Sequence, residues 1–132
     1  MIPYLLVFVG GGAGAVARYA GGVLWGRHVG RLIGHTYGFG ATMIINILGG
    51  VLMGVLISTL ALKGGADQER WRLLLGVGIL GGFTTFSTFS LEAVMLIQKK
   101  DYQMALGYVL GSVVLSVVGV MLGLYLTRKA LG

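Results

Sequence analysis

Twelve residues in the second half of the chain, GGFTTFSTFSLE (81–92), gather five hydroxyls at Thr84, Thr85, Ser87, Thr88 and Ser90. Three aromatic rings, Phe83, Phe86 and Phe89, lie among them, with two glycines in front and Glu92 behind. Gly81 and Gly82 carry no side chain, and the hydroxyls compete with helical backbone bonds, so the stretch predicts a break in a helix. Such a break frees backbone groups that hold ions: carbonyls at the end of the first half-helix face a cation, and N–H groups at the start of the second face an anion. The phenylalanines recur every three residues, which places them on one helix face. Each serves either lipid contact and core packing, or presents the positive edge of its ring quadrupole to an anion.

Two further polar sets sit in apolar surroundings. Thr42 and Asn46 are four apart on one helix face, and Asn46 fits either an interhelical hydrogen bond or an amide donor lining a polar path. Tyr108, Ser112 and Ser116 are also spaced by four; their hydroxyls back-bond to the preceding turn or form one polar stripe. Arg18 and Glu92 are the charges that fall inside apolar runs. Arg18 snorkels or lines a water-filled vestibule, and Glu92 comes late enough in its run to be paired or snorkelling. His28 and His35 fall in one loop as solvated positions.

The elements that carry these residues follow from composition. The chain has 132 residues, 56% hydrophobic and 11% charged, too little polar material to cover a soluble core of this size. Met1–Ala17, Leu32–Leu62, Leu73–Leu91 and Tyr102–Thr127 contain no Asp, Glu, Lys or Arg, and a membrane helix needs about 20 apolar residues. Four spans are expected, at about 3–25, 37–62, 71–98 and 102–127, in a single four-helix membrane domain. Trp25, Tyr37, Trp71, Tyr102 and Tyr125 fall near their ends as an interfacial aromatic belt. The first run is too long and glycine-rich for a cleaved signal sequence, so it is expected to remain. The net charge of +6 is scattered over loops and tails, which suits anionic headgroups and gives no nucleic-acid footprint.

Glycine supplies 25 residues, many at small-xxx-small spacing: Gly10/Gly14, Gly22/Gly26, Gly50/Gly54, Gly78/Gly82, Gly107/Gly111 and Gly119/Gly123. Such pairs let helix backbones approach in lipid, and so many faces predict a homo-oligomer. Orientation follows the Lys/Arg bias. Lys63, Arg70, Arg72, Arg128 and Lys129 on one side balance Arg27, Arg31, Lys99 and Lys100 on the other, five against four. A chain with so weak an instruction inserts both ways, and two copies then pair about an axis in the membrane plane. The expected architecture is an all-α integral membrane protein with four transmembrane helices per subunit, the third broken mid-membrane, in an antiparallel (dual-topology) homodimer. The absence of cysteine excludes thiolate chemistry, and no Ser/His/Asp set, metal cluster or phosphate loop marks an enzyme.

Three segments, GGGAGAVARY (10–19), GATMIIN (40–46) and GGFTTFSTFSLE (81–92), resemble in type and order the hallmark segments of the Fluc (CrcB-type) fluoride channel family. The resemblance spans the whole chain. It implies passive export of cytoplasmic fluoride through two antiparallel pores of a dual-topology homodimer in the bacterial plasma (inner) membrane, which confers fluoride resistance. Phe86 and Phe89 would turn ring edges to fluoride together with Asn46, while Thr42, Ser87, Thr88, Tyr108 and Ser112, with Ser116 next, would line the pore and Arg18 its vestibule. A non-transported sodium ion at the dimer interface would take backbone carbonyls of Gly81 and Thr84. The competing class is a small dual-topology multidrug antiporter, which needs a carboxylate deep in the membrane and finds only Glu92.

Overall fold

The computed structural model describes residues 1–29 and 39–132. Tyr37, Arg31 and His35 of the sequence reading lie outside the described residues. The chain is built from α1 (Ile2–His28), α2 (Phe39–Lys63), α3 (Gln68–Trp71), a π-helix (Arg72–Leu80), α4 (Gly81–Phe83), α5 (Phe86–Gln98) and α6 (Tyr102–Leu131). The pieces from Gln68 to Gln98 run end to end, so among the described residues four segments are long and apolar enough to cross a membrane. This is a multi-pass membrane protein with an all-helical fold.

Local signals fix the helix ends. Pro3 opens α1, where its missing N–H costs nothing, and Arg27 in the last turn complements the helix dipole; His28 closes this helix instead of lying in the loop that follows. Asp101 caps α6 by accepting the Met104 N–H at 3.3 Å. The turn before it is tight enough to hold Lys100 at a φ of 60°. Within Arg72–Leu80 the backbone bonds skip one residue further than in an α-helix, a rare winding associated with functional sites.

Packing runs chiefly along two seams, and glycine makes both. In the first, α1 lies against the π-helix and α4; a Cβ on Gly10 would collide with the Leu74 carbonyl, and one on Gly82 with the Gly11 carbonyl. In the second, α2 lies against α6. A Cβ on Gly54 would strike the Val120 carbonyl and come within 2.9 Å of Leu124 N, and Gly123 meets the Val51 carbonyl in the same way. These contacts use Gly10/Gly14, Gly50/Gly54, Gly78/Gly82 and Gly119/Gly123 inside one chain. Gly22, Gly26 and Gly107 have open space beside them, so fewer glycine faces remain for a second copy than the sequence alone suggests.

The helix break corrects one expectation. Phe83 ends α4, whereas Phe86 and Phe89 belong to α5, so the three rings do not share a continuous helix face. The period of three holds in sequence but is interrupted by the two extended residues between.

The seams set a testable cost. Gly54→Val forces side-chain atoms into backbone and is expected to cost about 2 kcal/mol or more, the range of core overpacking. Gly21→Ala, whose Cβ would sit 3.5 Å from Ile45 Cδ1, is expected to be near neutral. Thermal unfolding of both variants in detergent, read by intrinsic tryptophan fluorescence, checks the difference.

Candidate functional site

Thr84 (φ −82°, ψ 158°) and Thr85 (φ −151°, ψ 121°) are extended, which interrupts the third span between Phe83 and Phe86. Extended backbone in lipid needs partners for its N–H and C=O, and at Thr85 α2 supplies both. Asn46 Oδ1 accepts the Thr85 N–H at 2.9 Å, and Asn46 Nδ2 donates to the Thr85 carbonyl at 3.1 Å. The Thr85 hydroxyl caps α5: it accepts the Thr88 N–H at 3.2 Å, donates to Thr88 Oγ1 at 3.1 Å and lies 3.3 Å from Ser87 Oγ. Thr84 Oγ1 and its N–H both donate to the Leu80 carbonyl, at 2.9 and 3.0 Å.

The same bonds leave carbonyls behind. In an unbroken helix, Thr85 N would bond the Gly81 carbonyl and Thr88 N the Thr84 carbonyl. Those two N–H groups are committed to Asn46 and to the Thr85 hydroxyl instead. The negative end of the first half-helix thus carries oxygens without their helical donors, a donor set suited to a hard cation.

A cleft of about 320 Å³ opens beside the break, lined by Asn46, Phe86, Phe89 and Ser112, with Thr84, Thr85, Ser116, Val113 and Val117 completing the wall. None of these side chains is ionisable. Ser112 Oγ is buried and has no hydrogen-bond partner among the described residues. The second Asn46 amide hydrogen is likewise beyond what Thr85 takes. The rings differ: Phe86 is 77% exposed and Phe89 8%, with centroids 5.5 Å apart and planes at 44°. Phe89 is packed from behind by Tyr108 at 5.3 Å, which in turn meets Phe39 at 5.2 Å.

One turn beyond Phe89, Glu92 ties three spans together. Its Oε1 accepts from Thr42 Oγ1 at 3.0 Å and its Oε2 from the Tyr108 hydroxyl at 2.7 Å. Arg18 reaches the break from α1, its Nε donating to the Gly82 carbonyl at 3.2 Å. The structure therefore brings Asn46, Phe86, Phe89 and Ser112 to one cleft, with Thr84 in its wall. Thr42 and Tyr108 stand on Glu92 behind the Phe89 ring, Ser87 and Thr88 gather at the cap of α5, and Arg18 lies against the end of α4, which Gly81 opens.

Residues 5–124 match the family described as CrcB-like protein, Camphor Resistance (CrcB). The chain belongs to this family. It is 55% identical over 129 residues to the fluoride-specific ion channel FluC of Phenylobacterium zucineum strain HLK1, with 98% of each chain covered. It is 50% identical over 129 residues to the protein of that name from Caulobacter sp. strain K31, covering 98% of this chain and 97% of the relative. For Caulobacter vibrioides strain NA1000 / CB15N the identity is 48% over 129 residues, with 98% of both covered.

Two residues of this CrcB-family chain matter more than the sequence reading gave them. Thr85 was one hydroxyl in a run; it is the residue that Asn46 holds at both backbone groups and the cap of α5. A threonine placed where a helix restarts after a break is the signal that could have found it, because its hydroxyl accepts the backbone N–H three residues on. Glu92 holds the Thr42 and Tyr108 hydroxyls, partners 50 and 16 residues away that no local spacing reveals.

Asn46→Leu removes both bonds to Thr85 at once. The expected loss is about 1–3 kcal/mol, reduced from the soluble-protein figure because the alternative state in lipid also finds partners. Faster amide exchange at Thr85, with exchange in the α2–α6 seam unchanged, is the accompanying readout.

Proposed function

We propose that this chain is a passive, fluoride-selective ion channel that exports cytoplasmic fluoride across the bacterial inner membrane and so confers fluoride resistance. It acts as an antiparallel, dual-topology homodimer with two pores. The observation that carries the reading is the uncharged cleft at the helix break, where an asparagine amide, an unpartnered buried serine hydroxyl and two phenylalanine rings converge. Support comes from relatives about half identical along nearly their whole length that are named fluoride-specific ion channels.

The chemistry suits a small, strongly hydrated anion. A selective path must replace the ion's water with close donors and still release it, which a lysine or arginine at the centre would prevent. Asn46 supplies an N–H, Ser112 an O–H, and Phe86 and Phe89 the weakly positive edges of their rings. Because Asn46 is itself fixed by Thr85, its amide meets the ion already oriented. Phe86, exposed in the single chain, is free to face a path shared with a second copy.

A structural sodium ion at the dimer interface is part of the proposal. The carbonyls of Gly81 and Thr84, deprived of their helical donors, fit an oxygen-ligated cation. Bound there, sodium would supply a fixed positive charge at the break. The antiporter reading finds no support: both oxygens of Glu92 are engaged by hydroxyls, and the named relatives are channels.

The test is efflux from liposomes loaded with potassium fluoride or potassium chloride, triggered by valinomycin and read with ion-selective electrodes. Fluoride is expected to leave quickly while chloride stays. Phe89→Ile is expected to slow fluoride about tenfold, the effect of some 1.4 kcal/mol on the barrier. Equal loss of both anions, or of neither from an intact dimer, would overturn the reading.

A further inference from the structure

A second cavity, of about 260 Å³, lies away from the helix break in the connection between α2 and α3. Lys63, which closes α2, and Asp67, Gln68 and Trp71 form its polar and aromatic sides, and Leu60 its apolar one. The connection joins two membrane spans, so it sits at headgroup level. Trp71 is 51% exposed there, as an interfacial indole is, and Lys63 follows the apolar run of α2 as a snorkelling cation does.

The charges around the cavity are not equivalent. Arg70 is bound to Asp67 Oδ1 at 3.0 Å, and Arg72 to Glu69 at 2.7 Å, so each arginine has an acidic partner three residues earlier. Lys63 has no acidic partner among the described residues. Asp67 gives Oδ1 to Arg70, and its Oδ2 has no hydrogen bond among the described residues. Among the described residues the cavity wall therefore carries a cation without an ion pair and a carboxylate whose second oxygen lies outside its pair with Arg70, plus the Gln68 amide. Gly64 lets this wall close: a Cβ there would come within 2.7 Å of Gln68 Cδ.

We propose that this cavity is a docking site for an amine-bearing zwitterionic phospholipid of the surrounding leaflet, phosphatidylethanolamine in type. Its phosphate pairs with Lys63, its primary ammonium donates to Asp67 Oδ2, and the glycerol end of its chains lies on Leu60. An anionic glycerol headgroup would pair with Lys63 and offer Asp67 only neutral hydroxyls, without the opposite charge of an ammonium. A choline headgroup carries the positive charge but has no N–H to give the carboxylate. The site is independent of the fluoride cleft, being formed by other residues at the opposite end of α2 from Phe39.

Native mass spectrometry of the full-length protein in detergent, titrated with phosphatidylethanolamine, phosphatidylcholine or phosphatidylglycerol, tests this. Phosphatidylethanolamine is expected to bind most tightly. Lys63→Gln and Asp67→Asn are each expected to weaken it roughly threefold, the size of one exposed ionic contact. Lys129→Gln, in the last turn of α6, serves as control and is expected to change nothing. Lys63→Gln is expected to leave fluoride efflux from liposomes unchanged, which keeps this result separate from the channel reading. Equal affinity for the three lipids, or loss with Lys63→Gln but none with Asp67→Asn, would overturn the proposal.

Discussion

Everything distinctive in this fold depends on keeping two extended residues in the middle of a membrane. Unpaired peptide groups cannot face hydrocarbon, and a helix would ordinarily bond them to itself. Asn46 removes that requirement at Thr85 by offering an acceptor and a donor from one side chain, at 2.9 and 3.1 Å. The remaining features follow. The second half-helix begins afresh with its own cap, and the first ends with carbonyls that have lost their donors. Phe86 and Phe89 emerge at the start of a helix whose direction the break has set.

The seams explain why the break can be held so tightly. Asn46 reaches Thr85 only because α2 is anchored, and α2 is anchored on α6 by backbone-to-backbone contact at Gly50, Gly54, Gly119 and Gly123. In the same way Arg18 reaches Gly82 because Gly10 and Gly14 bring α1 onto the first half of the third span. Glu92 adds a third fixture, joining α2, α5 and α6 through two hydroxyls. In lipid, close packing and satisfied polar groups have to do what burial from water does in a soluble protein.

Much of this was legible in the sequence because membrane constraints are severe. Four charge-free runs could only be spans, and paired glycines followed by a hydroxyl run could hardly continue an unbroken helix. What stayed open was long-range. Whether Asn46 joined helices or lined a path depended on its register against Thr85, 39 residues away, and the structure has it bond Thr85 while standing in the cleft wall. Glycine spacing marks packing faces but not their partners, so it does not separate faces used within the chain from faces open to a second copy. The phenylalanine period misled at Phe83 for a local reason: period implies a shared face only while the helix is continuous.

The contact between Gly54 and Gly123 has a further consequence. A Cβ on either residue would come within 3.1 Å of the other's Cα, and the two atoms still nearer to it are also main chain. A side chain forced against another side chain can be accommodated by trimming that neighbour to make room. Here the neighbour is already glycine and the rest is main chain, so nothing is left to trim. A lineage carrying this seam keeps both glycines together or must move the two helices apart.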